Sequence, residues 1–161
     1  MPRFMRKGIT KVYFVDTFTD YTTPLTSEFS GALALHTEMS EMNGFTFSNS
    51  PIQTPDMDTK FVSQIPGEDT TEDSGIVFYE NRGGSGNNPV QTGLVKDDTG
   101  FVCIFADGLA GASPADADVT EVWPVTVSSN SRRYSAGNEA AMYEIKFATT
   151  EEPQADVALT T

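Results

Sequence analysis

AMYEIKFATT, Ala141–Thr150, decides the fold class. Tyr143, Ile145 and Phe147 alternate with Met142, Glu144 and Lys146. A period of two sends these sets to opposite faces of a strand, one apolar and one charged. Such a strand covers a core with one face only, as antiparallel sheets do.

The same signal recurs upstream. GITKVYFVDTF (8–18) carries the β-branched and aromatic residues of a strand. DSGIVFYEN (73–81) sets Ile76 and Phe78 against Val77 and Tyr79, and GFVCIFADG (100–108) is an apolar strand. DVTEVWPVTVSSN (118–130) predicts a long strand, with Pro124 marking an edge or a bulge. GFTFSNSPIQTPD (44–56) predicts a strand that stops at Pro51, and DTKFVSQIPGED (58–69) one closed by Pro66–Gly67. NPVQTGLVKDD (88–98) is the best helix, with Asn88 as cap and Pro89 at its first position. Residues 17–44 read as short strands joined by a long loop, with a short helix after Pro24 as the alternative, capped by Thr26 or Ser27. AMYEIKFATT is the expected final strand, and EEPQADVALTT (151–161) a loosely held tail. These elements predict one mainly β domain over 1–161, an antiparallel sandwich or barrel with one flanking α-helix and long loops.

Charge is unevenly placed. The net charge is −13, yet Arg3, Arg6, Lys7 and Lys11 all precede the first acidic residue, Asp16. The chain thus reads as a basic arm (about 1–8) on an acidic body. A body this negative repels phosphates and excludes an ordinary DNA-binding module. No stretch approaches the ~18–20 apolar residues of a membrane span, and the arm lacks the cleavage pattern of a signal peptide. Cys103 is the single cysteine and sits among apolar neighbours, which predicts a buried, inert thiol.

The chemical motifs are thin. His36 is the only histidine and has no evident Ser or Cys partner. Glu68, Asp69, Glu72 and Asp73 in GEDTTEDSG offer oxygen ligands to calcium, but the spacing is not that of an EF-hand, and a solvated acidic turn is the plainer reading. DMDT (56–59) lacks the apolar strand that precedes a phosphoryl-transfer aspartate loop. RGGSGNN (82–88) lacks the Lys-Ser/Thr of a P-loop and reads as a mobile loop. Trp123 reads as core. Nothing here asks for a cofactor.

Three phrases carry a resemblance: NSPIQTPD (49–56), GEDTTEDS (67–74) and SNSRRYSAGNEA (129–140), in this order and spacing. With their surroundings they resemble the major tail tube protein of long-tailed actinobacterial bacteriophages, from about Ile9 to Pro153. Asp16–Met42 matches least and is where outer loops of such proteins vary. The resemblance implies a structural virion protein, assembled in the host cytoplasm, with neither catalysis nor cofactor. Its copies would form hexameric rings that stack into a tube, meet other tail proteins at the tube ends, and let DNA pass without specific binding.

On that reading the adjacent Arg132 and Arg133 serve a subunit interface with Arg3, Arg6 and Lys7, since Arg pairs carboxylates bidentately. Glu139, Glu144 and the acidic turn are the expected partners. Glu68, Asp69, Glu72, Asp73 and Glu144 are the candidates for a lumen lining or an acidic interface. The competing reading is an acidic, calcium-dependent β-sandwich binding module.

Overall fold

Burial of alternate side chains organises the chain. The computed structural model describes residues 2–161, with only the backbone given for Ser85. Ten strands form: β1 (Lys11–Val15), β2 (Leu33–Ala34), β3 (Met39–Asn43), β4 (Phe47–Thr54), β5 (Ser63–Thr71), β6 (Ser74–Tyr79), β7 (Thr99–Phe105), β8 (Val119–Arg133), β9 (Met142–Thr149) and β10 (Gln154–Ala158). The one α-helix among the described residues, α1 (Pro89–Gly93), follows β6.

Eight strands make one antiparallel sheet in the order β2-β1-β7-β8-β9-β6-β3, with β10 also pairing β8. β4 and β5 pair only with each other. Val12 and Phe14 of β1, Ile76 and Phe78 of β6, and Tyr143, Ile145 and Phe147 of β9 meet in one core, with Met39 and Met42 of β3 against it. The sheet therefore curls round a shared interior, which Val90 of α1 and Leu94 just after it plug. Each large side chain so buried contributes roughly 1.5–3 kcal/mol.

A second cluster covers the other face of β1, β7 and β8: Val15, Cys103, Phe105, Val122, Phe29 and Leu159, with Phe18, Tyr21 and Phe101 packed on it. The loop after β1 is thus a lid over this core. Cys103 is fully buried, and burial raises its thiol pKa, as the sequence predicted. Trp123 is buried too.

Strand β8 explains its own length. Pro124 lies where its neighbour changes from β10, paired to Val122, to β9, paired from Val125. Its carbonyl accepts from Thr150 N at 3.0 Å, so its nitrogen faces that junction, at the end of the β9 ladder, where a missing donor is best tolerated. The expected edge or bulge at Pro124 is therefore a change of partner; the bulge comes later, between Val127 and Ser129.

Several expectations are corrected. β4 runs through Pro51 and β5 through Pro66–Gly67: those two residues face Pro51 in a β-bulge, where missing donors cost nothing. β9 is not the last strand, because β10 pairs β8, Leu159 is core, and Thr160 bridges Leu25, so 151–161 is not a loose tail. The segment after Pro24 is a single 3-10 turn, Thr26–Phe29; Glu28 rather than Thr26 or Ser27 holds it, accepting from Leu25 N at 2.9 Å and Thr19 N at 2.7 Å. Within RGGSGNN, residues 85–87 form another such turn.

Helix α1 starts at Pro89 as expected but has only five residues, and Asn88 makes no side-chain cap. Its amide spans Asn81 instead, accepting from Asn81 N and donating to Asn81 O, both at 2.8 Å.

Candidate assembly interface

The β4–β5 hairpin stands off the barrel. Its strands carry few apolar residues, so neither face can cover a core, and nearly every residue is exposed. Cross-strand polar pairs hold it: Ser48 Oγ to Thr70 Oγ1 at 3.0 Å, Thr54 Oγ1 to Ser63 Oγ at 2.8 Å, and Asn49 Nδ2 to Asp69 Oδ1 at 2.5 Å. Asn49 also binds both the N–H and the carbonyl of Gly67 across the bulge. At the tip Asp56 Oδ1 accepts from Asp58 N and Thr59 N, both at 3.0 Å. Asp56 is thus a turn former in DMDT.

The apolar residues the hairpin does carry are in water: Phe47, Ile52, Met57, Phe61, Val62 and Ile65 are all exposed. A lone two-stranded hairpin is marginal in water, so these exposed side chains make the arm a candidate contact surface. Sequence reading missed this. The available signal was strands too polar to bury a face.

The bulge in β8 sets the arginine pair. One extra residue, Ser128, turns Asn130 towards α1, where it donates to the carbonyls of Gln91 and Leu94 at 2.9 and 2.6 Å. Arg132 follows on that face and pairs Glu80 at 2.7 Å, which raises its pKa. Arg133 points to the other face, as adjacent strand residues must. There it pairs Glu144 of β9 and lies 3.9 Å from Glu41 of β3. Glu41, Val77 and Glu144 stand side by side across β3, β6 and β9, and Val77 is fully buried although it lies on the outer face. Both arginines nonetheless stay about half exposed.

Of the predicted partners, Glu144 is correct, while Glu80 and Glu41 were missed. No ion pair among the described residues joins either arginine to Glu68, Asp69, Glu72 or Asp73. Glu68 and Asp69 lie in β5 rather than in a turn; Glu72 and Asp73 link β5 to β6. All four are exposed. Glu144 is mostly covered and engaged, with Lys146 Nζ also 3.8 Å away.

Arg3, Arg6 and Lys7 are exposed, and Arg6 sits over the Phe4 ring at 5.7 Å. His36 lies between β2 and β3 with Nδ1 3.1 Å from Val12 O and its ring against Tyr13. It fastens a loop to β1. Among the described residues no group of three or more His, Cys, Asp or Glu side chains could hold a metal ion.

Over residues 1–161 the sequence matches the phage tail tube protein family. The chain belongs to that family. Its role is structural and not enzymatic, and as a tail tube component it is part of the virion. No curated protein gives a significant match. Among solved structures it is similar to a chain of the sheath/tube terminator of PVC, an extracellular contractile injection system, in the extended state. The TM-score is 0.62 at 13% identity, covering 96% of this chain and 99% of that one. A chain of the 6-fold symmetrised baseplate of the anti-feeding prophage gives 0.55 at 8% identity, covering 96% and 97%. A chain of the PVC sheath-tube complex gives 0.55 at 14%, covering 91% and 88%. These likenesses show that the mainly β tube fold is shared.

Proposed function

We propose that this tail tube protein is the repeating subunit of the tube, closing into rings that stack end to end. The observation that carries this is the hairpin: among the described residues its two strands pair only with each other, and its few apolar side chains are exposed. Buried against a neighbour it becomes a joint. Strands β2, β3 and β10 add edges that a neighbouring copy can complete. Head-to-tail contact does not close on itself and propagates as a filament.

Six copies per ring is the reading from the family resemblance, and the 6-fold baseplate chain of the same fold supports it. Long-tailed phages of actinobacteria rest on NSPIQTPD, GEDTTEDS and SNSRRYSAGNEA alone. DNA would pass through the lumen during ejection. Carboxylates such as Glu68, Asp69, Glu72 and Asp73 would keep the duplex from adhering, or pair with a neighbour's cations. With a Debye length of about 8 Å, such repulsion acts only near the wall. Arg132 and Arg133, half exposed beside their own carboxylates, would add a second, intermolecular contact. Other tail proteins would complete the two ends.

Sedimentation velocity over a concentration series tests the reading. Growth from monomer to rings and longer polymers is the expected result. A hairpin variant, Phe61→Ser with Ile65→Ser, should remain a folded monomer. Unchanged polymerisation of that variant would remove the hairpin from the account.

A further inference from the structure

A groove opens where β4 leaves the barrel beside the approach to β10. Phe47, Trp123 and Pro153 form its apolar wall, and Glu121 and Glu152 stand at it. Its volume is about 230 Å³. That exceeds the roughly 150 Å³ of a cavity known to hold a benzene ring. An adjoining hollow shares Phe47, Glu152 and Pro153 and adds Asp69 and Glu151. Among the described residues no Lys or Arg lines either one. Trp123 Nε1 donates to Glu121 Oε2 at 3.4 Å, which holds one carboxylate at the groove.

The chain also owns a segment of opposite character. Arg3, Phe4, Met5, Arg6 and Lys7 put three cations around two apolar side chains, all exposed. Phe4 is 54% and Met5 70% exposed. The Arg6 guanidinium lies over the Phe4 ring, so ring and charge are presented together.

We infer that the basic arm of one copy docks in this groove on another copy, with Phe4 between Phe47, Trp123 and Pro153 and the arm's cations against Glu121, Glu151 and Glu152. An aromatic anchor entering an apolar pocket with a charged rim is how hot spots are built. The complementary charges would steer the encounter and fix its register more than they add affinity. The inference rests on the self-assembly reading and names one joint within it.

The test replaces Phe4 with the photo-crosslinker benzoylphenylalanine, an exposed position whose change leaves the barrel intact. Assembled protein is irradiated and digested, and cross-linked peptides are sequenced. Adducts between chains, on Trp123 or residues 152–155, are expected. Adducts within one chain, or on another surface of the neighbour, overturn the proposal while leaving assembly untouched. In parallel, Arg3→Glu/Arg6→Glu/Lys7→Glu and, separately, Glu151→Lys/Glu152→Lys should each cut polymer yield at least tenfold, and their combination in one chain should restore it. Full yield from the arm variant alone overturns the docking. A wild-type chain that stays monomeric under every condition, seeded or not, removes the assembly reading and this joint with it.

Discussion

Phe45 stands edge-on to Trp123, ring centroids 5.5 Å apart, and this contact roots the exposed hairpin in the barrel core. Phe45 itself sits at φ 53° and Gly44 before it at φ 73°, so the chain leaves β3 through two left-handed residues. Gly44 has no alternative: an added Cβ would lie 2.6 Å from Ser74 Cα. Phe45 N donates to Ser74 Oγ at 2.9 Å and fixes the exit angle. Phe45→Ala should cost about 2 kcal/mol, less than the ~3–5 of a fully buried Phe. Its larger effect should be faster hydrogen exchange across Phe47–Thr71 with the barrel amides unchanged. Uniform acceleration everywhere would show that the hairpin and barrel open together.

The bulge makes a sharper prediction. A Cβ on Gly67 would collide with the Ser50 carbonyl and crowd Ile52 at 3.0 Å. Backbone cannot yield as a side chain can, so Gly67→Ala must distort the ladder. The barrel should keep its melting temperature while polymer yield falls several-fold. Normal polymers from Gly67→Ala would mean that hairpin shape does not matter.

The C-terminal strand is part of the fold. Leu159 is buried beside Phe29 and Val122, and its backbone pairs with Asp118. Leu159→Ala should lose about 2–5 kcal/mol in denaturant unfolding. Removal of residues 154–161 should prevent folding altogether. A truncated chain with native stability would restore the loose-tail reading of the sequence.

Alkali should act through Tyr143. Burial, and then the Glu38 carboxylate, pushes its pKa up to about 12, against about 10 in an unfolded chain. The raised value means that its contribution is complete below pH 10 and is lost as pH climbs towards 12. Its hydroxyl is buried and makes no hydrogen bond of good geometry, although the Gln91 backbone lies close enough to offset part of the rise. Tyr143→Phe should therefore cost nothing at pH 7, or gain up to about 1 kcal/mol. It should also flatten the stability loss between pH 10 and 12. A mutant as alkali-sensitive as wild type would contradict this.

The arginines give a prediction about assembly. Arg132→Glu with Arg133→Glu should leave a folded monomer, because Val77 and Tyr143 stay packed in the sheet. The reversal sets new carboxylates beside Glu80, Glu144 and Glu41, and tubes should not form. Normal tubes from this double variant would confine both arginines to their own chain.

What the sequence revealed follows from where physics is local. The period-two pattern of Tyr143–Phe147, the apolar run Val102–Phe105 and the Asn88–Pro89 helix start needed only neighbours to be read. Pro51 and Pro66 misled because a proline ends a strand only where its missing donor is needed, and a bulge removes that need. β10 was hidden because QADVA owes its structure to pairing with β8, not to its own pattern. Arg133–Glu144 could be named from adjacent strands. Arg132–Glu80 could not, because Glu80 follows β6, and only the fold shows that β6 lies beside β9. The hairpin's exposure was foreshadowed by the polar make-up of FSNSPIQT and SQIPGEDTT, but that its strands pair only with each other is a long-range fact the fold supplies.

The most direct test of the central claim is cryo-electron microscopy of the purified wild-type protein, alone and seeded with tail-tip assemblies. The account predicts hollow striated tubes of uniform width, six subunits per ring, with Phe61 and Ile65 of each hairpin buried against a neighbouring copy. Monomers under both conditions, or tubes in which the hairpins stay in solvent, would contradict it.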